Sequence, residues 1–200
     1  MNISTTALSL ESISSIAIAP LLLVAFAALM LGPAARPAMA GNSPTLAPAR
    51  AFVQAGFGDQ HTNAYLVGVT WYLPWHFDFS VGTLAASVEA SVGRWHTVSP
   101  RGGTTAWPTQ IGATPVLRFY PSFASQWFAE IGVGPNYIVP LFRSGKKRFS
   151  TEFNFGDHFA VGRRFGTSEV SLRLEHFSNA GIDHPNPGEN FVQVRYSFRI

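Results

Sequence analysis

His176 and Ser178 are the residues of this 200-residue chain whose types and spacing suggest covalent chemistry. They stand two apart at the end of an alternating segment, and in a β-strand residues i and i+2 share a face. An imidazole beside a hydroxyl can take its proton and turn the oxygen into a nucleophile. By itself His-x-Ser is a weak motif that arises by chance. The plain alternative is a hydrogen-bonded pair with a structural role.

The elements that must position this pair read as strands. Period-two alternation runs over Arg50–Gly58, with Ala51, Val53, Ala55 and Phe57 on one face, and over Ala64–Leu73, with Tyr65, Val67, Val69 and Trp71 aligned. It continues through Leu84–Val92, Ile111–Phe119, Trp127–Gly134, Phe149–Phe155, Val170–Glu175 and Val192–Ile200. Eight candidate strands is an even number, as bacterial single-chain barrels have. One face is apolar. The other carries Glu89, Arg118, Glu130, Glu152, Arg173, Glu175, Arg195 and Arg199, a mixed-charge set suited to filling a narrow lumen by mutual pairing. His176 and Ser178 continue the parity of Val170, Leu172 and Leu174, which points both outward. A polar pair there costs free energy unless it is bonded internally or to a substrate.

Composition supports a barrel in lipid. Charged residues make up 12% of the chain and aromatics 14%, against about 25% charge in a soluble globular protein. A lipocalin-like barrel, with charge outside, would lack the polar side chains to solvate it. After Leu31 no run approaches the roughly 18 apolar residues of a membrane-spanning helix, and only helices and closed barrels satisfy their backbone groups in lipid. The fold class expected is all-β, an eight-stranded antiparallel transmembrane β-barrel of the bacterial outer membrane. Residues 1–40 read as a signal peptide, with an apolar stretch over Ile16–Leu31 and the cleavage-like Ala38-Met39-Ala40, although no basic residue precedes the stretch. Residues 41–200 then form the barrel. There is no cysteine, hence no disulfide and no thiolate metal site.

Ser99–Pro108, Arg143–Arg148 and Asp183–Glu189 read as loops. The cluster Arg143, Lys146, Lys147 and Arg148 suits a solvated or orienting loop, or contact with phosphates of lipopolysaccharide and acidic headgroups. His61, His76, His96, His158 and His184 lack metal-ligand spacing and are expected in loops or at the interface. Nothing in the chain points to nucleic acid.

The string His176-Phe177-Ser178-Asn179-Ala180-Gly181, followed by Pro185-Asn186-Pro187-Gly188, resembles the PagL-type lipid A 3-O-deacylases. The resemblance is strongest over Leu172–Ile200 and mostly architectural before that. It implies an outer-membrane barrel with a Ser-His-Glu triad on its outer wall, acting without a cofactor on the ester that holds the primary acyl chain at position 3 of lipid A. By the same resemblance Ser178 is the nucleophile and His176 the general base and acid. Asn179, Gly181 and Asn186 surround the site, with Asn186 and the Gly181 amide as oxyanion donors.

The sequence departs from the family pattern at the acid. An ungapped match places Asn190 where the family has Glu, and Glu189 falls one residue early. Strand parity puts Asn190 on the face of Ser178 and Glu189 on the other, but a turn at Pro187-Gly188 can break parity. Glu189 is the preferred carboxylate. Asn190 is the alternative, orienting His176 through its amide as Asn does in Cys-His-Asn sites, and Asp183 is a more distant candidate. The implied partners are lipid A and outer-membrane lipids, with the oligomeric state open, a homodimer included. A non-enzymatic structural or adhesive barrel, and an esterase or phospholipase acting on other lipids, are the competing readings.

Overall fold

The computed structural model describes residues 47–98, 105–124, 126–145 and 147–200. The signal-peptide expectation, Lys146 and most of the Ser99–Pro108 loop lie outside these residues. Eight long strands are present among them: β1 (Arg50–Gly58), β2 (Asn63–Phe79), β3 (Gly82–Val98), β4 (Thr109–Pro121), β5 (Trp127–Val139), β6 (Phe153–Phe165), β7 (Ser168–Ser178) and β8 (Glu189–Arg199). Each pairs antiparallel with the next, and β1 pairs with β8, so the sheet closes into an up-and-down barrel with no free edge.

The two ends differ. At the end holding Arg50 and Arg199, strands join through residues 80–81, 122–126 and 166–167. At the other end the connections run over 59–62, 99–108, 140–152 and 179–188. Short periplasmic turns and longer external loops are the rule in outer-membrane barrels, which makes the second end the outer one. β2 and β3 each run 17 residues, longer than the 9–11 or so needed to cross, and their pairing shifts register between Tyr72 and His76, around Pro74.

The outer wall is apolar, as the alternation predicts. Phe57, Val67, Leu172, Leu174 and Val194 are all more than half exposed. The lumen is filled by charge. Arg118 meets Glu130 at 2.7 Å and Glu169 at 2.9 Å, Arg173 meets Glu130 at 2.8 Å and Glu89 at 3.3 Å, and Arg195 meets Glu89 at 2.5 Å. Each carboxylate of this chain of pairs serves two guanidinium groups, so the charges stay compensated where water is scarce. Glu152 and Arg199, expected in this set, are exposed at the barrel ends; Glu169 and Arg50 stand in the lumen instead, 3.5 Å apart. His158, expected in a loop or at the interface, is buried on β6 and receives a hydrogen bond from Arg173 at Nδ1, 3.3 Å.

Above the charged layer, at the outer end, the interior turns aromatic. Trp95 packs against Phe142, Phe149, Phe177 and Phe191, with ring centroids 4.8–6.4 Å apart. The Trp95 indole donates to Gln110 Oε1 at 2.8 Å. Phe149 explains a shifted boundary. The sixth strand was expected to start there, but it starts at Phe153, and Phe149 belongs to the connection that folds its ring inward. Within the segment expected as an open loop, Arg143–Ser144 pairs antiparallel with Lys147–Arg148.

Candidate active site

Phe177 fixes the direction of its neighbours. It is fully buried in the aromatic layer, edge-on to Trp95 at 5.0 Å and to Phe191 at 5.9 Å. Because side chains alternate across a strand, a ring locked inward at 177 turns His176 outward; Ser178, the last residue of β7, shares that parity but is buried, 8% exposed. Phe191 does the same on β8 and turns Asn190 outward. His176 and Asn190 are directly opposed in the β7–β8 register, and their inner neighbours Phe177 and Glu189 are the next opposed pair.

The imidazole is held from that side. Its Nδ1–H donates to Asn190 Oδ1 at 2.7 Å, and Asn190 Nδ2 donates to Asp59 Oδ2 at 3.1 Å. Asp59 sits in the β1–β2 connection and also accepts from Lys147 Nζ at 2.7 Å. Burial raises the Asp59 carboxyl, but the bonds from Lys147 and Asn190 and the Lys147 charge outweigh it and hold it below its usual range. With Nδ1 protonated, Nε2 keeps its lone pair, the state a general base requires. Opposite His176 on β6 stands Asp157, on the same outward face.

Glu189 lies elsewhere. It is fully buried on the inner face, 3.1 Å from Lys147 Nζ. The structure therefore brings His176 to Asn190 and not to Glu189. The turn at Pro187-Gly188 leaves the parity of β8 intact from its first residue. Asp183 is exposed in the 179–188 connection, where its Oδ1 accepts from the His184 amide.

The connection after β7 is braced by Asn179, which is buried. Its Oδ1 accepts from the Gly181 amide at 2.9 Å, and its Nδ2 donates to Ser150 Oγ and to the Asp183 carbonyl, both at 2.9 Å. Its backbone N–H donates to Asn186 Oδ1 at 3.1 Å. Asn179, Gly181 and Asn186 are thus gathered into one network beside Ser178. In it the Gly181 amide is engaged by Asn179, and the Asn186 carbonyl oxygen faces the loop.

Gly188 closes the site. It has φ +64°, and a Cβ on it would lie 2.5 Å from His176 Cε1 and 3.2 Å from Nε2. The bare backbone lets the imidazole stand with its Cε1–Nε2 edge against the turn. Below the polar group, a groove of about 690 Å³ runs down the outer wall, lined by Phe57, Ile131, Phe159, Leu174 and Val192 beside His176 and Asn190. An apolar trough ending at a polar cluster fits a ligand with a long acyl chain. Among the described residues no cluster of His, Cys, Asp or Glu could hold a metal ion.

Sequence reasoning passed over two participants. Asp59 sits far from the motif, and only the barrel closure between β1 and β8 brings it alongside. Lys147 was visible only as one of a basic cluster.

Residues 63–199 match the family model of lipid A 3-O-deacylase (PagL). The chain is 31% identical over 147 residues to the lipid A deacylase PagL of Bordetella bronchiseptica, covering 72% of this chain and 80% of that one. It is 26% identical over 143 residues to the protein of the same name from Pseudomonas aeruginosa, covering 66% and 79%. The crystal structure of the outer membrane enzyme PagL superposes with a TM-score of 0.68 at 25% identity, covering 76% of this chain and all of that one. With the closed eight-stranded barrel and the outward polar cluster at its outer end, these likenesses make the chain a member of the PagL family of lipid A 3-O-deacylases.

Proposed function

We propose that this chain is an outer-membrane hydrolase that cleaves the ester of the primary acyl chain at position 3 of lipid A, with Ser178 as nucleophile, His176 as general base and acid, and Asn190 as the group that orients His176. The observation that carries the reading is the His176–Asn190 bond on the outer face, which engages Nδ1 and leaves Nε2 as the nitrogen that can take a proton. Ser178 continues the same strand face toward the outer end.

In this mechanism the acyl chain lies in the outer-wall groove and its ester reaches Ser178. Ser178 Oγ attacks the carbonyl carbon while its proton passes to His176 Nε2. The negative charge that develops on the carbonyl oxygen needs donors. Asn186 Nδ2 is the side-chain donor beside the nucleophile, and the Gly181 amide joins it if Asn179 Oδ1 releases it. The tetrahedral intermediate collapses, the sugar oxygen leaves with the proton from His176, and the acyl group stays on Ser178. Water, deprotonated by His176, then attacks the acyl-serine and releases the free hydroxy acid. Both reactants of the first step are membrane-bound, so lateral diffusion delivers the substrate and no aqueous entry path is required. No cofactor takes part in any step.

The test is to produce the full chain in a Gram-negative envelope and weigh the lipid A. The expected result is loss of one hydroxyacyl chain with wild type and intact lipid A with Ser178→Ala. Equal loss in both would remove Ser178 from the mechanism. Intact lipid A with wild type, together with hydrolysis of glycerophospholipid, would assign the site to another lipid.

A further inference from the structure

We propose that Asp59 is a positioning residue of this site, which sets the direction of the Asn190 amide and through it the tautomer of His176. The inference rests on the reading of His176 as the base and goes beyond it by naming the group that replaces a carboxylate at position 190.

An asparagine is an ambiguous partner for an imidazole. Its side chain presents a carbonyl oxygen on one side and an NH₂ on the other, of nearly equal size. With the oxygen toward Nδ1, the ring carries its proton there and Nε2 is a base. With the NH₂ toward Nδ1, that nitrogen must accept, the proton moves to Nε2, and the ring can no longer take a proton from a serine. A carboxylate has no such ambiguity, because both its oxygens accept. Asn190 alone would therefore populate both arrangements.

Asp59 removes the choice. Its Oδ2 is 3.1 Å from Asn190 Nδ2, and an ionised carboxylate can only accept, so it selects the amide orientation that turns Oδ1 toward His176. Lys147 Nζ, 2.7 Å from the same oxygen and 3.1 Å from Glu189, holds Asp59 in place and keeps it ionised. The chain of bonds runs from Lys147 through Asp59 and Asn190 to His176, joining two connections and two strands far apart in sequence. The charge is thus supplied one residue removed from the ring, by the turn between β1 and β2.

The experiment uses the full chain in detergent micelles as wild type, Asp59→Ala, Asn190→Glu and the double variant. Two quantities are read: kcat and KM for release of the hydroxyacyl chain from lipopolysaccharide, and the ¹⁵N resonances of His176, which report its tautomer without any substrate. The expected result is a fall in kcat of about 10- to 100-fold for Asp59→Ala at unchanged KM. The Nδ1–H tautomer should give way to a mixture. With glutamate at 190 no orienting neighbour is needed, so the same Asp59→Ala change should cost less than about twofold and leave the tautomer single. An equal loss in both backgrounds would make Asp59 merely structural. An unchanged tautomer in Asp59→Ala would overturn the proposal outright. If wild type releases no acyl chain while the tautomer still responds to Asp59→Ala, the substrate reading fails and the role of Asp59 stands.

Discussion

Asn190 accepts the His176 Nδ1–H at 2.7 Å, while the carboxylate next to it in sequence, Glu189, is turned into the barrel and buried beside Lys147. Asn190 thus stands where the ungapped family match has Glu, and the reason Glu189 does not take that place is strand parity. Glu189 opposes Phe177 and Asn190 opposes His176, so whichever residue sits opposite an outward imidazole is its partner. The consequence is measurable. Asn190→Ala should lower kcat by about 10- to 1,000-fold, less than the 10⁴ or so that follows from setting a wrong tautomer in a serine protease triad. Glu189→Gln should leave activity within about threefold, as for a residue outside the reacting group. Assaying acyl release for both variants checks this, and the reverse ranking would place the acid at 189.

Gly188 is the residue most sensitive to a single added methyl. Its φ of +64° disfavours any side chain, and the Cβ would meet the imidazole edge at 2.5 Å. Gly188→Ala must therefore strain the turn or push the ring off its position. Displacing a catalytic group by about 1 Å costs on the order of 10²-fold in rate. The variant is expected to fold, since the contact lies on the outer wall, and to lose activity by at least that factor. Acyl release measured beside the heat-induced gel shift of the folded barrel separates the two effects.

The barrel was legible because its chemistry is periodic. The outward run Val170, Leu172, Leu174 and the inward run Ser171, Arg173, Glu175 differ at every step, and one register satisfies both lipid and lumen. The outward direction of His176 was legible for the same reason, as was the parity that separates Asn190 from Glu189. The start of β6 was not. Phe149 and Thr151 alternate with polar residues like any strand, and only the demand of Trp95 for a ring above it pulls Phe149 out of the sheet. Asp59 was illegible altogether. A carboxylate in a short turn carries no local signal, and its neighbours Asn190 and Lys147 are set by barrel closure and by the folding back of the 140–152 connection.

Phe177 links stability to the site. Its ring is fully buried among Trp95 and Phe191, and it alone separates His176 from Ser178 in sequence. Phe177→Ala opens a cavity in the aromatic layer and is expected to cost about 3–5 kcal/mol. Denaturant unfolding in lipid vesicles measures that loss. Activity should fall further than stability alone explains, because the inward anchor that sets the parity of residues 176 and 178 is gone. Phe177→Leu, which keeps an apolar anchor, should recover most of the activity while recovering only part of the stability.

The link between Lys147 and Asp59 carries a pH signature. The Asp59 carboxyl is held below its ordinary value of 3.8, because the Lys147 and Asn190 bonds and the Lys147 charge outweigh the opposing effect of burial. For a depressed carboxyl the stabilisation is complete above the unfolded-state value and is lost as pH falls through the lower folded-state value. The contact should therefore outlast the ordinary carboxyl value of 3.8 as pH falls. Removing the cation with Lys147→Met leaves burial in place and takes away the largest counterweight, so the midpoint should move up. Titrating the Asp59 carboxyl carbon by ¹³C NMR in folded protein reads both midpoints. A wild-type midpoint at or above the ordinary 3.8, or one that Lys147→Met leaves where it was, would show that Lys147 does not set the charge of Asp59.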